Sequence, residues 1–178
     1  MGADRLAGGL RRRCDCGRAA FLVLALLLTA VSAAGCGGSG HGAETDPEKG
    51  SDAAILNMGL ARELTLLGVY TRGNRLLPAR RRALGRRLRA EQQEYVDAIT
   101  KAIRGLGGDT EAEAEEVDLG RVKGAPGLLA LATELEDAAV DFYVDEAAHL
   151  YTPAPRTLDA WLAAGHGGHL GMLPPGRG

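Results

Sequence analysis

Twice in this chain a glutamate sits inside an apolar helical stripe with a tyrosine seven residues further on: Glu63 with Tyr70, and Glu136 with Tyr143. The first pair lies in LNMGLARELTLLGVY, residues 56–70, where Leu56, Leu60, Leu67 and Tyr70 recur at spacings that keep one helix face. The second lies in ATELEDAAVDFYVDEAAHL, residues 132–150, in a stripe of Leu129, Ala132, Ala139, Tyr143 and Ala147. An ionised carboxylate in an apolar stripe is costly unless something pairs with it. A chain with two of them must bring each to a partner in its interior. Two helix hairpins that repeat the same Glu and Tyr read as two halves of one pseudo-symmetric bundle.

The remaining elements follow from the same periodicity. The first helix is expected from Asp52 to about Arg72, with Ser51 or Asp52 as its N-cap, and Leu77-Pro78 breaks it. A second runs from Ala79 to Leu106 with Leu84, Leu88, Tyr95, Ile99 and Ile103 on one face, and GLGG stops it. Residues 107–126, rich in Glu and Gly, are too many for an ordinary connection and read as a crossover along the bundle. The third helix spans 127–150, the PAP at 153–155 makes a turn, and the fourth spans 158–173 with Leu158, Leu162, His169 and Leu173 inward. Trp161 and the three stripe tyrosines Tyr70, Tyr95 and Tyr143 are expected in the core. No alternating Val/Ile/Thr pattern suggests a strand. The fold class is all-α: a four-helix bundle with one long crossover between helices 2 and 3.

The beginning of the chain reads as an address. MGADRLAGGLRRR is basic, Ala19–Val31 is an apolar run too short for a comfortable membrane span, and SAAGC follows. Small residues at Ala33, Ala34 and Gly35 directly before Cys36 resemble a bacterial lipobox, which implies a signal peptide over 1–35 and lipidation of Cys36. The expected place is then the extracytoplasmic face of the cell membrane, held by a lipid anchor. Residues 36–51 read as a Gly-rich tether, 52–173 as the bundle and 174–178 as a tail. Cys14 and Cys16 fall in the discarded leader, so no thiolate chemistry is expected of the mature domain. Without residues 1–35 the chain has 16 basic and 21 acidic residues, a net charge of −5, which argues against a nucleic-acid partner. Eight arginines between Arg72 and Arg89 surround the first hairpin turn, as a solvated face or a contact for anionic headgroups. The chain has no P-loop, GxGxxG, nucleophile elbow or HExxH motif.

LNMGLARELTLLGVY, EQQEYVDAITKAIRGLGG, ATELEDAAVDFYVDEAAHL and LDAWLAAGHGGHLGML together resemble the four helices of the bacterial ferritin-like domain family, over residues 52–173. The resemblance implies a ferritin-like bundle and, in metal-binding members, one Glu from each of two helices and Glu-x-x-His from each of the other two, holding two metal ions. Carried over by position, Glu63, Glu136 and His169 agree with that pattern, while Gln92, Tyr95 and His166 depart from it. A shift of one residue on the second helix offers Glu91 and Glu94 instead.

Two functional readings stay open. In the first, the domain is a surface binding or scaffold module with a polar bundle core, no turnover, and a protein partner at the cell surface. In the second, Glu63, Glu136, His166 and His169 hold a single iron, manganese or zinc ion, and the protein is an oxidase or handles peroxide. GHGGH itself reads two ways, as ligands three apart on a helix or as solvent-facing histidines on a frayed one. Gly165, Gly167, Gly168 and Gly171, each costing about 1 kcal/mol against Ala, favour the frayed helix.

Overall fold

The structure is a computed structural model and describes residues 46–173. Cys36, the leader, most of the expected tether and the 174–178 tail lie outside the described residues. Four helices make up the domain: α1, Pro47–Gly73; α2, Arg82–Gly105; α3, Gly124–Glu146; and α4, Pro153–Met172. The described residues include no strand, and none of their helices is long and apolar enough to cross a membrane.

α1 begins earlier than its apolar pattern suggests. Pro47 occupies the first helical turn, where its missing N–H costs nothing, and the Asp46 carboxylate accepts from the Glu48 N–H at 3.2 Å. The last residues of the expected tether are therefore helical, and neither Ser51 nor Asp52 is the cap. Asp52 instead faces inward, fully buried, and holds the two residues that lead into α4. Its oxygens accept from the backbone of Tyr151 at 2.8 Å, the backbone of Thr152 at 2.9 Å and the Thr152 hydroxyl at 2.5 Å. Burial works against the Asp52 anion, but these donors and Arg156 hold its carboxyl below the usual range. The PAP segment is the first turn of α4 rather than a separate turn.

α1 and α2 form one antiparallel hairpin, and α3 and α4 form the other. Short 3-10 turns at 74–76 and 79–81 flank Leu77-Pro78 in the first connection. α2 stops where Gly107 takes a positive φ of 82°, a conformation that a side chain disfavours. The crossover then lies along α1. Asn57 donates to the Asp109 carbonyl at 3.0 Å and accepts from the Glu111 N–H at 3.0 Å, and the Thr65 hydroxyl accepts from the Glu115 N–H at 2.8 Å. Arg72 reaches the Val117 carbonyl at 3.4 Å. These contacts carry the chain from the start of α1 to its end, so α3 starts beside the C-terminus of α1 and runs back antiparallel to it. The Arg-rich turn consequently sits at the end of the bundle away from where the chain enters α1. The core is one cluster, with Leu56, Leu60, Val69, Leu88, Ile99, Ile103, Ala132 and Leu162 at its centre.

Candidate metal centre

Glu63 on α1 and Glu136 on α3 point inward because each replaces an apolar residue in a buried stripe. Both carboxylates are fully buried, and two buried anions need compensating charge. His166 on α4 lies between them. Its Nδ1–H donates to Glu136 Oε2 at 2.5 Å and its Nε2–H to Glu63 Oε1 at 3.0 Å, which uses both ring nitrogens as donors. Burial alone would favour neutral imidazole, but the two carboxylates outweigh it and raise the His166 pKa to about 9. For Glu136, burial opposes the anion, yet the contacts to His166 and His169 bring its pKa down to about 2.

His169, one turn beyond His166, sets Nδ1 3.0 Å and 3.1 Å from the two Glu136 oxygens and Nε2 2.9 Å from Glu91 Oε2. Arg87 Nε in turn holds Glu91 at 2.7 Å. The Tyr70 hydroxyl donates to Glu136 Oε1 at 2.5 Å, while the Tyr143 hydroxyl and the Gln92 amide donate to Glu63. Burial, then the nearby carboxylates, push both phenols well above their ordinary value, so each remains a donor. The aromatic rings brace the imidazoles: Tyr143 stacks on His166 and Tyr95 on His169, each with ring centres 5.6 Å apart.

This geometry overturns several expectations. The fourth helix is not frayed at GHGGH, and both histidines are buried rather than solvent-facing. Gly165 explains part of this: a Cβ there would lie 2.1 Å from the Tyr95 hydroxyl oxygen, so the glycine lets Tyr95 pack onto α4. The register of α2 places Gln92 and Tyr95 inward. Glu94 is exposed and does not join the cluster, and Glu91 sits at its edge, touching His169 from outside. Trp161 is not core; it is 45% exposed and packs edge-on against Tyr95 at 5.0 Å. Asp159 went unnoticed in the sequence, although it continues the inward track of Leu162, His166 and His169 on α4. It is buried, and neither of its oxygens has a hydrogen-bond partner among the described residues.

Replacing Gly165 by Ala is expected to cost about 1–3 kcal/mol, since Tyr95 must leave its place against His169. Gly167, where a Cβ meets nothing within 4 Å, provides the control: its replacement by Ala should gain up to about 1 kcal/mol. Urea unfolding of the two variants checks the contrast.

The cluster suits a metal ion. Glu136, His166 and His169 each offer one ligand atom, all within 4.8 Å of one another, in a buried setting. Gln92, whose amide donates to Glu63, keeps its Oε1 buried without a partner among the described residues. Two imidazoles with a carboxylate oxygen form a donor set for zinc, iron or manganese.

The model of the ferritin-like domain family matches residues 51–174. No curated protein matches the chain. Among solved structures, a conserved hypothetical protein, rv2844, from Mycobacterium tuberculosis is 18% identical with a TM-score of 0.63, covering 69% of this chain and 94% of its own. The bacterioferritin of Rhodobacter capsulatus is 21% identical with a TM-score of 0.62, covering 69% and 81% respectively. A ferritin-like, diiron-carboxylate protein from Bacillus anthracis is 16% identical with a TM-score of 0.61, covering 71% and 95%. These likenesses carry the fold, and with the family model spanning the whole bundle, the chain belongs to the ferritin-like domain family.

Proposed function

We propose that this domain binds one metal ion, held by Glu136, His166 and His169, and that lipidation of Cys36 anchors it on the extracytoplasmic face of the membrane. The observation that carries the metal reading is the convergence of those three ligand atoms within 4.8 Å, in full burial. One ion is expected rather than two, because the other half of the centre is taken. Gln92 and Tyr95 stand where the family pattern has a carboxylate and an imidazole, and Glu63 is engaged by Tyr143, Gln92 and His166.

The surrounding residues orient the ligands. With a metal on His169 Nδ1, the Nε2–H would be held by Glu91, itself held by Arg87, an arrangement that raises ligand basicity. Tyr70 fixes one oxygen of Glu136, and His166 and His169 meet at the other. Iron or manganese in such a site supplies redox chemistry toward oxygen or peroxide, and zinc supplies a structural tie.

The scaffold reading also has an observation in its favour: the His166 imidazolium, bonded to both Glu63 and Glu136, pairs the buried anions without any metal. Metal analysis of residues 42–178, which contain the entire described core, separates the two. The proposal expects about one equivalent of iron, manganese or zinc, less than about a tenth of that in His169→Ala, and full content in Glu94→Ala. Unchanged content in His169→Ala, or none in the parent, leaves the scaffold module with a surface protein partner.

A further inference from the structure

Away from the metal centre, a groove of 440 Å³ opens between α1, the crossover and α3. Met58, Arg62 and Leu66 line it from α1, and Leu135, Ala138 and Phe142 from α3, with the crossover at 113–115 as its far rim. The rim is fixed, because the Glu115 N–H is bonded to Thr65. The surface is unusually apolar for an exposed face: Met58 is 49% exposed, and Leu135 and Phe142 are only partly covered.

The occupant follows from size and charge. The groove's volume falls in the range of pockets for one small ligand. At one end Arg62 Cζ lies over the Phe142 ring, 4.4 Å from its centre. Arg62 is exposed and makes no ion pair among the described residues, so its charge is unmet there. The opposite rim carries Glu113 and Glu115, both exposed, which repel an anion. An anionic head therefore has one favourable place, at Arg62, where the fork of N–H donors matches a planar carboxylate.

We propose that this groove binds a single-chain amphiphilic carboxylate, a fatty-acid-like anion, with its head on Arg62 and its chain against Met58, Leu66, Leu135 and Phe142. The inference does not rest on the metal reading, since no ligand of the centre lines the groove.

Calorimetric titration of residues 42–178 with decanoate, decanol and decylamine tests it. Decanoate should bind one per chain and more tightly than either analogue. Arg62→Gln should weaken decanoate about tenfold and leave decanol within about twofold, the loss of one charge-assisted contact. Ala138→Trp, at an exposed position on α3, should fill the groove and abolish binding of both. Should that variant fail to fold by circular dichroism, Met58→Trp serves in its place. The proposal is overturned if decanoate gives no saturable heat, if decylamine binds more tightly, if Arg62→Gln weakens decanoate and decanol equally, or if the groove-filling variant binds as the parent does.

Discussion

Replacing Glu136 by Ala should destabilise the metal-free bundle by about 3–5 kcal/mol, the cost of stranding one partner of a buried ion pair. Glu136 accepts from His166, His169 and Tyr70 at once, so its loss leaves a fully buried imidazolium with Glu63 alone. The pH dependence has a definite sign. His166 titrates near 9 in the fold against 6.5 unfolded, so its contribution is fully present below 6.5 and lost as pH rises through 9. Glu136 titrates near 2 against 4.5, so its contribution is present above 4.5 and lost as pH falls through 2. The pair thus stabilises the metal-free domain most between those two unfolded values. Urea midpoints measured from pH 2 to pH 9 with Asp159→Asn in the background, so that Asp159 does not titrate, should be highest between 4.5 and 6.5 with Glu136 present and depend much less on pH in Glu136→Ala. A variant that follows the parent at every pH contradicts the pairing.

Asp159→Asn should do the opposite and stabilise the protein. Burial raises the Asp159 pKa to about 7 from 3.8, and the negative charges of Glu146 and Asp52 add to the effect. Both oxygens are buried without a partner among the described residues, so the acid is the form the fold accepts. A raised pKa means the folded state holds a proton that the unfolded chain has released, so stability falls as pH climbs from about 4 through 7. Above that, ionised Asp159 costs on the order of 2–4 kcal/mol. The amide mimics the protonated acid and cannot ionise. The variant should match the parent in acid and exceed it at alkaline pH by about that amount. Parallel unfolding curves at both ends of the range would show that Asp159 is satisfied in some way its surroundings do not suggest.

The two carboxylates at the heart of this bundle were legible in the sequence because a Glu in an apolar stripe is rare, and here it recurs with its Tyr at the same interval. The same periodicity gave the four helices, and the length of the Glu- and Gly-rich stretch gave the crossover. What stayed hidden was register. On α2, Glu91 and Gln92 are neighbours about 100° apart around the helix, so both border the inward stripe, and charge alone favours the wrong pair. Packing decides for Gln92, whose neutral amide can be buried against Glu63 where Glu94 has no partner. On α4 the glycines have no side chains to mark a face. A track through Leu158 therefore competed with the true one through Asp159, and His166 dropped out of the stripe. The start of α1 was obscured by polar residues whose helical role depends on Pro47 and on the Asp46 cap. Asp52 was read as a local cap because nothing local shows that its partners, Tyr151 and Thr152, lie about a hundred residues away.

A cobalt(II) titration of the tether-free domain tests the central claim most directly, because the intensity of the visible absorption reports coordination geometry and the inflection counts ions. The metal reading predicts saturation at one ion per chain with the intense bands of a low-coordinate nitrogen and oxygen site, lost in His169→Ala and retained in Glu94→Ala. An absorbance that never saturates, or one that His169→Ala leaves intact, would mean that Glu136, His166 and His169 form a network of ion pairs and nothing more.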